Sequence, residues 1–359
     1  MYSDTDLEAA IAAGAMSPQD AQKFRDYIAG SRMTPAVDEE HFRLLTGFND
    51  IFVAIAASIL LVAVAWIGNE IPPRLDIDGP SPFGGLFVAA TAWGLAEFFT
   101  RKRRMALPSI LLLLAFVGGV LATAFVAIAL GVGTANLENN ERAISAIAAV
   151  SAAIAAASAW LHWRRFRVPI TVAAGAAAVV GVALATIAFT IGEVEGMDTI
   201  LLSFALLLGI GVFLFAMWWD ASDPTRQTRR SDVAFWLHLL AAPMIVHPIF
   251  SLLGLTDGSA STGEAVIVLL VYVALGLTAL AIDRRALLVS ALAYVLWALT
   301  DLFERFGAVE LSFALTALVI GSALLLLSAF WHDARRIVVR TLPDQLQSKL
   351  PLTDRVVTA

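Results

Sequence analysis

No cysteine occurs in the 359 residues of this chain, which removes disulfides, Cys-ligated zinc, iron–sulfur ligation and thiol catalysis together. Charge is scarce as well. Only 15% of residues are charged against 59% apolar, and the mean hydropathy is +0.80, too little polar surface for a water-soluble globule of this length. A cleavable apolar leader is not expected either: the first forty-odd residues are polar, and the first apolar run is long enough to span rather than be removed. No serine–histidine–acid set, paired catalytic carboxylates or His/Glu zinc spacing appears, and Gly118-Gly119 and Gly209-x-Gly211 lie inside apolar helices rather than in phosphate loops. The expectation is a chain that is not an enzyme and holds no cofactor and no metal.

What the chain has in abundance is long apolar runs. A hydrocarbon core about 30 Å thick needs roughly 20 apolar helical residues per crossing. Ten segments approach or meet that length: Asn49–Gly68, Phe83–Phe99, Pro108–Val132, Ala143–Trp163, Val168–Ile191, Thr199–Trp219, Val233–Leu255, Ala265–Ile282, Ala286–Phe303 and Leu311–Trp331. The predicted fold is all-α, a polytopic transmembrane bundle of about ten helices over residues 49–331. Residues 1–48 form a polar head and linker, and 332–359 a tail.

Orientation follows from the arginines. Clusters stand at Arg101-Lys102-Arg103-Arg104, Arg164-Arg165-Phe166-Arg167, Arg226 with Arg229-Arg230, Arg284-Arg285 and Arg335-Arg336, after every second apolar segment. With ten crossings, all of the 24 Lys and Arg except Arg74, Arg142 and Arg305 fall on one side, and short Lys/Arg-rich loops stay cytoplasmic. Both termini are therefore expected in the cytoplasm, in a bacterial inner membrane. Trp160, Trp163, Trp218, Trp219 and Trp331 read as an aromatic belt on the same side, and Glu97 as a partner for Arg101 one turn on. Two to four basic residues per cluster, with no soluble fold to present them, argue against nucleic acid as a partner.

In the head, Asp6 to Ala13 reads as a short helix ended by Gly14, and Ser17-Pro18-Gln19-Asp20 as the capped start of a second. The stretch LEAAIAAGAMSPQDAQKFRDYI resembles the short helical hairpins found beside membrane segments in many bacterial proteins. Followed by GFNDIFV and a polytopic body, it resembles a family of predicted bacterial polytopic membrane proteins of unknown function. That resemblance covers about the first seventy residues and implies no activity. It leaves the head either a solvated cap or a contact module for a protein partner.

Inside the body, Pro108 and Pro169 both open a segment, and Leu121-Ala122-Thr123 echoes Leu184-Ala185-Thr186, which suggests a repeated unit of an outgoing and a returning helix. The alanine runs 152–159 and 173–178, with Ala177, Gly181 and Ala185 at four-residue spacing, favour close backbone approach and place the fourth and fifth segments at the bundle centre.

One site suggests itself. Pro243 and Pro248 each remove a backbone donor in the seventh segment and free the carbonyls of Leu239 and Met244, so a helix break is expected next to His247. An ionisable residue beside a broken helix at membrane depth points to a solute or ion site. Asp301 and Glu304, near the outer end of the ninth segment, and Glu264, opening the eighth, can complete it around His247. The ordinary alternative pairs Asp301 with Arg305 at the interface. His238, nine residues from His247 at about 100° each, falls on the opposite helix face. Two function classes remain: a membrane component or scaffold positioning its head and tail for partners, and a small-solute transporter or channel with a polar site between the seventh, eighth and ninth segments.

Overall fold

The computed structural model describes residues 7, 10–31, 48–76, 79–223, 228–254, 262–285, 311–347 and 350, together with 288, 292, 295–296, 299–300 and 303. Every regular element among them is helical. The head up to Phe42 and the bundle, Arg43–Thr353, are two compact units.

The head contains α1 (Pro18–Ser31). Ser17 Oγ accepts the Asp20 amide at 3.1 Å and donates to the Asp20 carboxylate at 2.6 Å, a reciprocal cap that satisfies two groups with one side chain. That hydrogen bond and the nearby Lys23 ammonium hold the Asp20 carboxyl below its ordinary range. Gly14, just before, takes the left-handed conformation (φ 69°) that its lack of a Cβ allows.

The bundle consists of α2 (Phe48–Asn69), α3 (Pro82–Ala96, extended by a π-helical turn Glu97–Lys102), α4 (Ala106–Val132), α5 (Glu141–Phe166), α6 (Ile170–Ile191), α7 (Met197–Ala221), α8 (Arg229–Leu252), α9 (Thr262–Ile282) and α10 (Ser312–Ala329), followed by α11 (Trp331–Arg340) and the short α12 (Asp344–Gln347). Eight of these, α2 to α8 and α10, are long and apolar enough to cross a membrane. The eighth predicted segment appears as α9, and helical residues between 288 and 303 fall in the ninth. The chain is a multi-pass membrane protein, and exposed Phe52, Ile55, Ile59 and Trp66 of α2 are part of the apolar surface it offers to lipid.

Packing is closest between α3 and α4, α5 and α6, and α7 and α8. Each of these pairs is joined at the arginine-rich end. The structural hairpin is therefore offset by one helix from the repeat suggested by sequence, which joined helices through the acidic loops. Backbone contact explains the closeness: a Cβ added to Gly85 of α3 would lie 2.6 Å from the Gly119 carbonyl of α4, and one on Gly119 2.7 Å from the Gly85 carbonyl. Only glycine admits that approach, and in lipid it is dispersion between close backbones that drives association.

The alanine-rich pair α5/α6 does pack intimately, with Ala152 facing Gly181 and Ala159 facing Gly175. Its two helices are not equally enclosed, α5 being well buried and α6 not. α6 is the least buried span and α8 the most, because small side chains set how near two helices come and not how many neighbours surround them. On α8, Val233, Leu237 and Ala241 pack with α6 and α7, while Val246 and Phe250 pack with α9 and α10.

The turns at the arginine-rich end pass through left-handed backbone at residues other than glycine: Arg104 (φ 54°), Arg167 (φ 56°) and Asp283 (φ 58°).

Candidate functional site: a buried charge clasp

Pro243 and Pro248 do not break the seventh segment, for α8 is continuous from Arg229 to Leu252. The carbonyl that Pro248 frees, that of Met244, lies against Gly209 of α7, where an added Cβ would be 2.8 Å from it. The neighbouring helix thus packs its glycine where an intrahelical bond is lost. Pro243 and His247 are exposed and Pro248 is buried. Glu264 lies in the first turn of α9, while Asp301 and Glu304 lie outside the described residues. His238 does take the face opposite His247, and it is completely buried.

It is His238 that leads to the principal polar cluster. Asp220 ends α7, His238 lies two turns into α8, and Arg284 follows α9; all three are at most 3% exposed. Asp220 Oδ1 accepts Arg284 Nη2 at 2.5 Å, and Oδ2 accepts Arg284 Nε at 3.3 Å and His238 Nε2 at 3.0 Å. Arg284 Nη2 also donates to the carbonyl and hydroxyl of Ser231, at 3.1 and 3.2 Å, on the first turn of α8. The planar fork of a guanidinium fits a carboxylate at two points, and the imidazole edge meets the Phe213 ring at 5.2 Å. Both carboxylate oxygens are occupied. The arrangement therefore fastens three helix ends to one another.

A second layer continues from the adjoining residue. Asp283 Oδ1 accepts the indole N–H of Trp331 at 2.7 Å and lies 3.7 Å from Arg335 Nε, so the first and second turns of α11 are held to the end of α9. Trp331, assigned to the interfacial belt from sequence, is instead 2% exposed. The tail is thus ordered against the bundle through at least Val339, which is also buried. Trp160 and Trp218 do lie at the surface, and Arg164 stacks 4.9 Å over Trp160.

Two further links lie at the same end. Glu97 on the π-helical turn pairs with Arg101 at 3.2 Å, as its spacing predicts, and also takes a bidentate contact from Arg165 of α5 at 2.7 and 3.0 Å. His162 of α5 is fully buried among Trp93, Phe116 and Phe166, and its Nδ1 is 3.3 Å from the Thr171 hydroxyl of α6.

Sequence reasoning missed the clasp because it treated each arginine pair as one positive mark. Neighbouring residues point in different directions, and in two pairs the first is buried and the second is not: Arg284 against Arg285, Arg335 against Arg336. The available signal was a carboxylate beside a basic cluster at a helix end, in Trp218-Trp219-Asp220 and Asp283-Arg284. No family model, characterised protein or solved structure matches the chain.

Proposed function

We propose that this chain is a non-enzymatic component of a bacterial inner membrane that holds an ordered cytoplasmic surface for protein partners. The observation that carries this reading is α11. A helix beyond the last span is fixed to the bundle by Asp283, Trp331 and Arg335, while Asp333 and Ile337 are exposed, the latter at 67%. Ordering a helix costs conformational entropy, and here buried ionic contacts offset it at a place where no crossing is needed. The transport reading calls for a polar route between α8, α9 and the helical residues that follow. The cavity bounded by α9 and α10 is instead walled by Leu288, Leu292, Leu324 and Leu327, with Tyr272, Arg285, Ser328 and Trp331 completing its lining, and the buried carboxylate of Asp220 is taken up by its neighbours.

A photo-crosslinking residue at Ile337 tests the partner. A discrete adduct in cells that disappears in Trp331→Ala, with membrane yield unchanged, supports the scaffold. No adduct, or one indifferent to Trp331, removes it. Proton or solute flux in reconstituted vesicles that depends on Asp220 would favour transport instead.

Orientation is tested separately. A reporter active only outside the cytoplasm is expected to work when fused after Gly79, Asn139, Gly196 or Gly258 and to be silent after Arg103, Arg165 or Arg229. Activity after Arg165 would overturn both the orientation and the ten-crossing count.

A further inference from the structure

Three arginines meet where α9 ends and α11 begins, and they are not equivalent. Arg284 and Arg335 are buried against Asp220 and Asp283. Arg285 is exposed, lies 4.9 Å over the face of Trp331, and has no carboxylate partner among the described residues. It also lines a cavity of about 130 Å³ shared with Leu288, Leu292, Leu324, Leu327, Ser328 and Trp331. On the same lining, the Tyr272 hydroxyl is buried without a hydrogen-bond partner among the described residues.

We propose that this cavity is a binding site for an anionic phospholipid, with one acyl chain between the leucines and the phosphate on Arg285. Two independent features agree on that chemistry. The walls are apolar, and an apolar cavity of roughly 150 Å³ accepts a benzene-sized ligand, room for a short run of methylenes. The cation left over by the clasp stands beside that space, already oriented by the indole ring. Position supports a membrane lipid over a free fatty acid. α10 ends at Ala329 and α11 starts at Trp331, so the arginine stands where a span leaves the hydrocarbon and phosphates are concentrated. This holds for either orientation of the chain.

Native mass spectrometry of the purified full-length chain, titrated with phosphatidylglycerol or phosphatidylcholine of the same acyl chains, tests the site. Phosphatidylglycerol is expected to be retained about fivefold more tightly, the effect of one basic residue at a membrane surface. Arg285→Gln should abolish that preference and Arg285→Lys should keep it. Leu327→Phe, which fills the cavity, should weaken both lipids. All three variants should melt like the parent in lipid-free detergent. Equal retention of the two lipids by the parent chain would overturn the proposal, as would a preference that survives Arg285→Gln. So would displacement by laurate with no binding of phosphatidylglycerol, which would assign the cavity to free fatty acids.

Discussion

Arg284→Met is expected to lower stability by about 3–5 kcal/mol, because it leaves the Asp220 carboxylate buried without its counter-charge. Asp220→Leu should do comparable harm from the other side, stranding the guanidinium beside an apolar side chain. The two should not add. In Asp220→Leu/Arg284→Met both charges are gone and the space is filled with apolar atoms, so the cost should fall well below the sum of the singles. Thermal unfolding of the purified protein in one detergent measures all four states. Arg285→Met, one residue along, should stay within about 0.5 kcal/mol of the parent, as exposed substitutions do. Additive single effects, or equal losses at Arg284 and Arg285, would show that the clasp contributes no more than positive charge.

The second large effect is expected from a methyl group. Gly209→Ala and Gly119→Ala place a Cβ 2.8 Å from the Met244 carbonyl and 2.7 Å from the Gly85 carbonyl, respectively. Both obstacles are backbone and cannot rotate aside. Each substitution should push a helix pair apart and cost about 1–3 kcal/mol. Gly211 and Gly118 lie in the same helices with nothing within 4 Å of an added Cβ. Gly211→Ala and Gly118→Ala should be neutral or stabilising by up to about 1 kcal/mol, through helix propensity alone. Thermal midpoints compared within each pair decide the matter, and equal responses would remove close packing as the explanation.

Much of the architecture was legible because a bilayer imposes a length on every apolar helix. The spans Asn49–Gly68 and Thr199–Trp219, read from hydropathy, appear as Phe48–Asn69 and Met197–Ala221. The Glu97–Arg101 pair was legible too, since four residues is one helical turn. What could not be read were relations between helices. Nothing local distinguishes Gly209 from Gly211, or Arg284 from Arg285; a neighbouring helix does. The same limit explains the expected break at Pro243 and Pro248. The donors lost were visible in sequence, whereas the glycine packed on the freed Met244 carbonyl lies thirty-five residues away. The proposed partners of His247 fared differently, since Asp301 and Glu304 lie outside the described residues.

The left-handed turns at Arg104, Arg167 and Asp283 have a consequence for how such a chain evolves. A non-glycine residue in that conformation costs roughly 1–2 kcal/mol, and glycine would relieve it at each position. Two of the three carry positive charge at the end where basic residues collect, and the third anchors Trp331. A residue can thus be poor for the turn that contains it and still serve the chain through a contact made outside that turn, as Asp283 does with Trp331. Redesign of these corners for local comfort would yield better hairpins, with fewer basic residues at that end of the bundle and no anchor for α11.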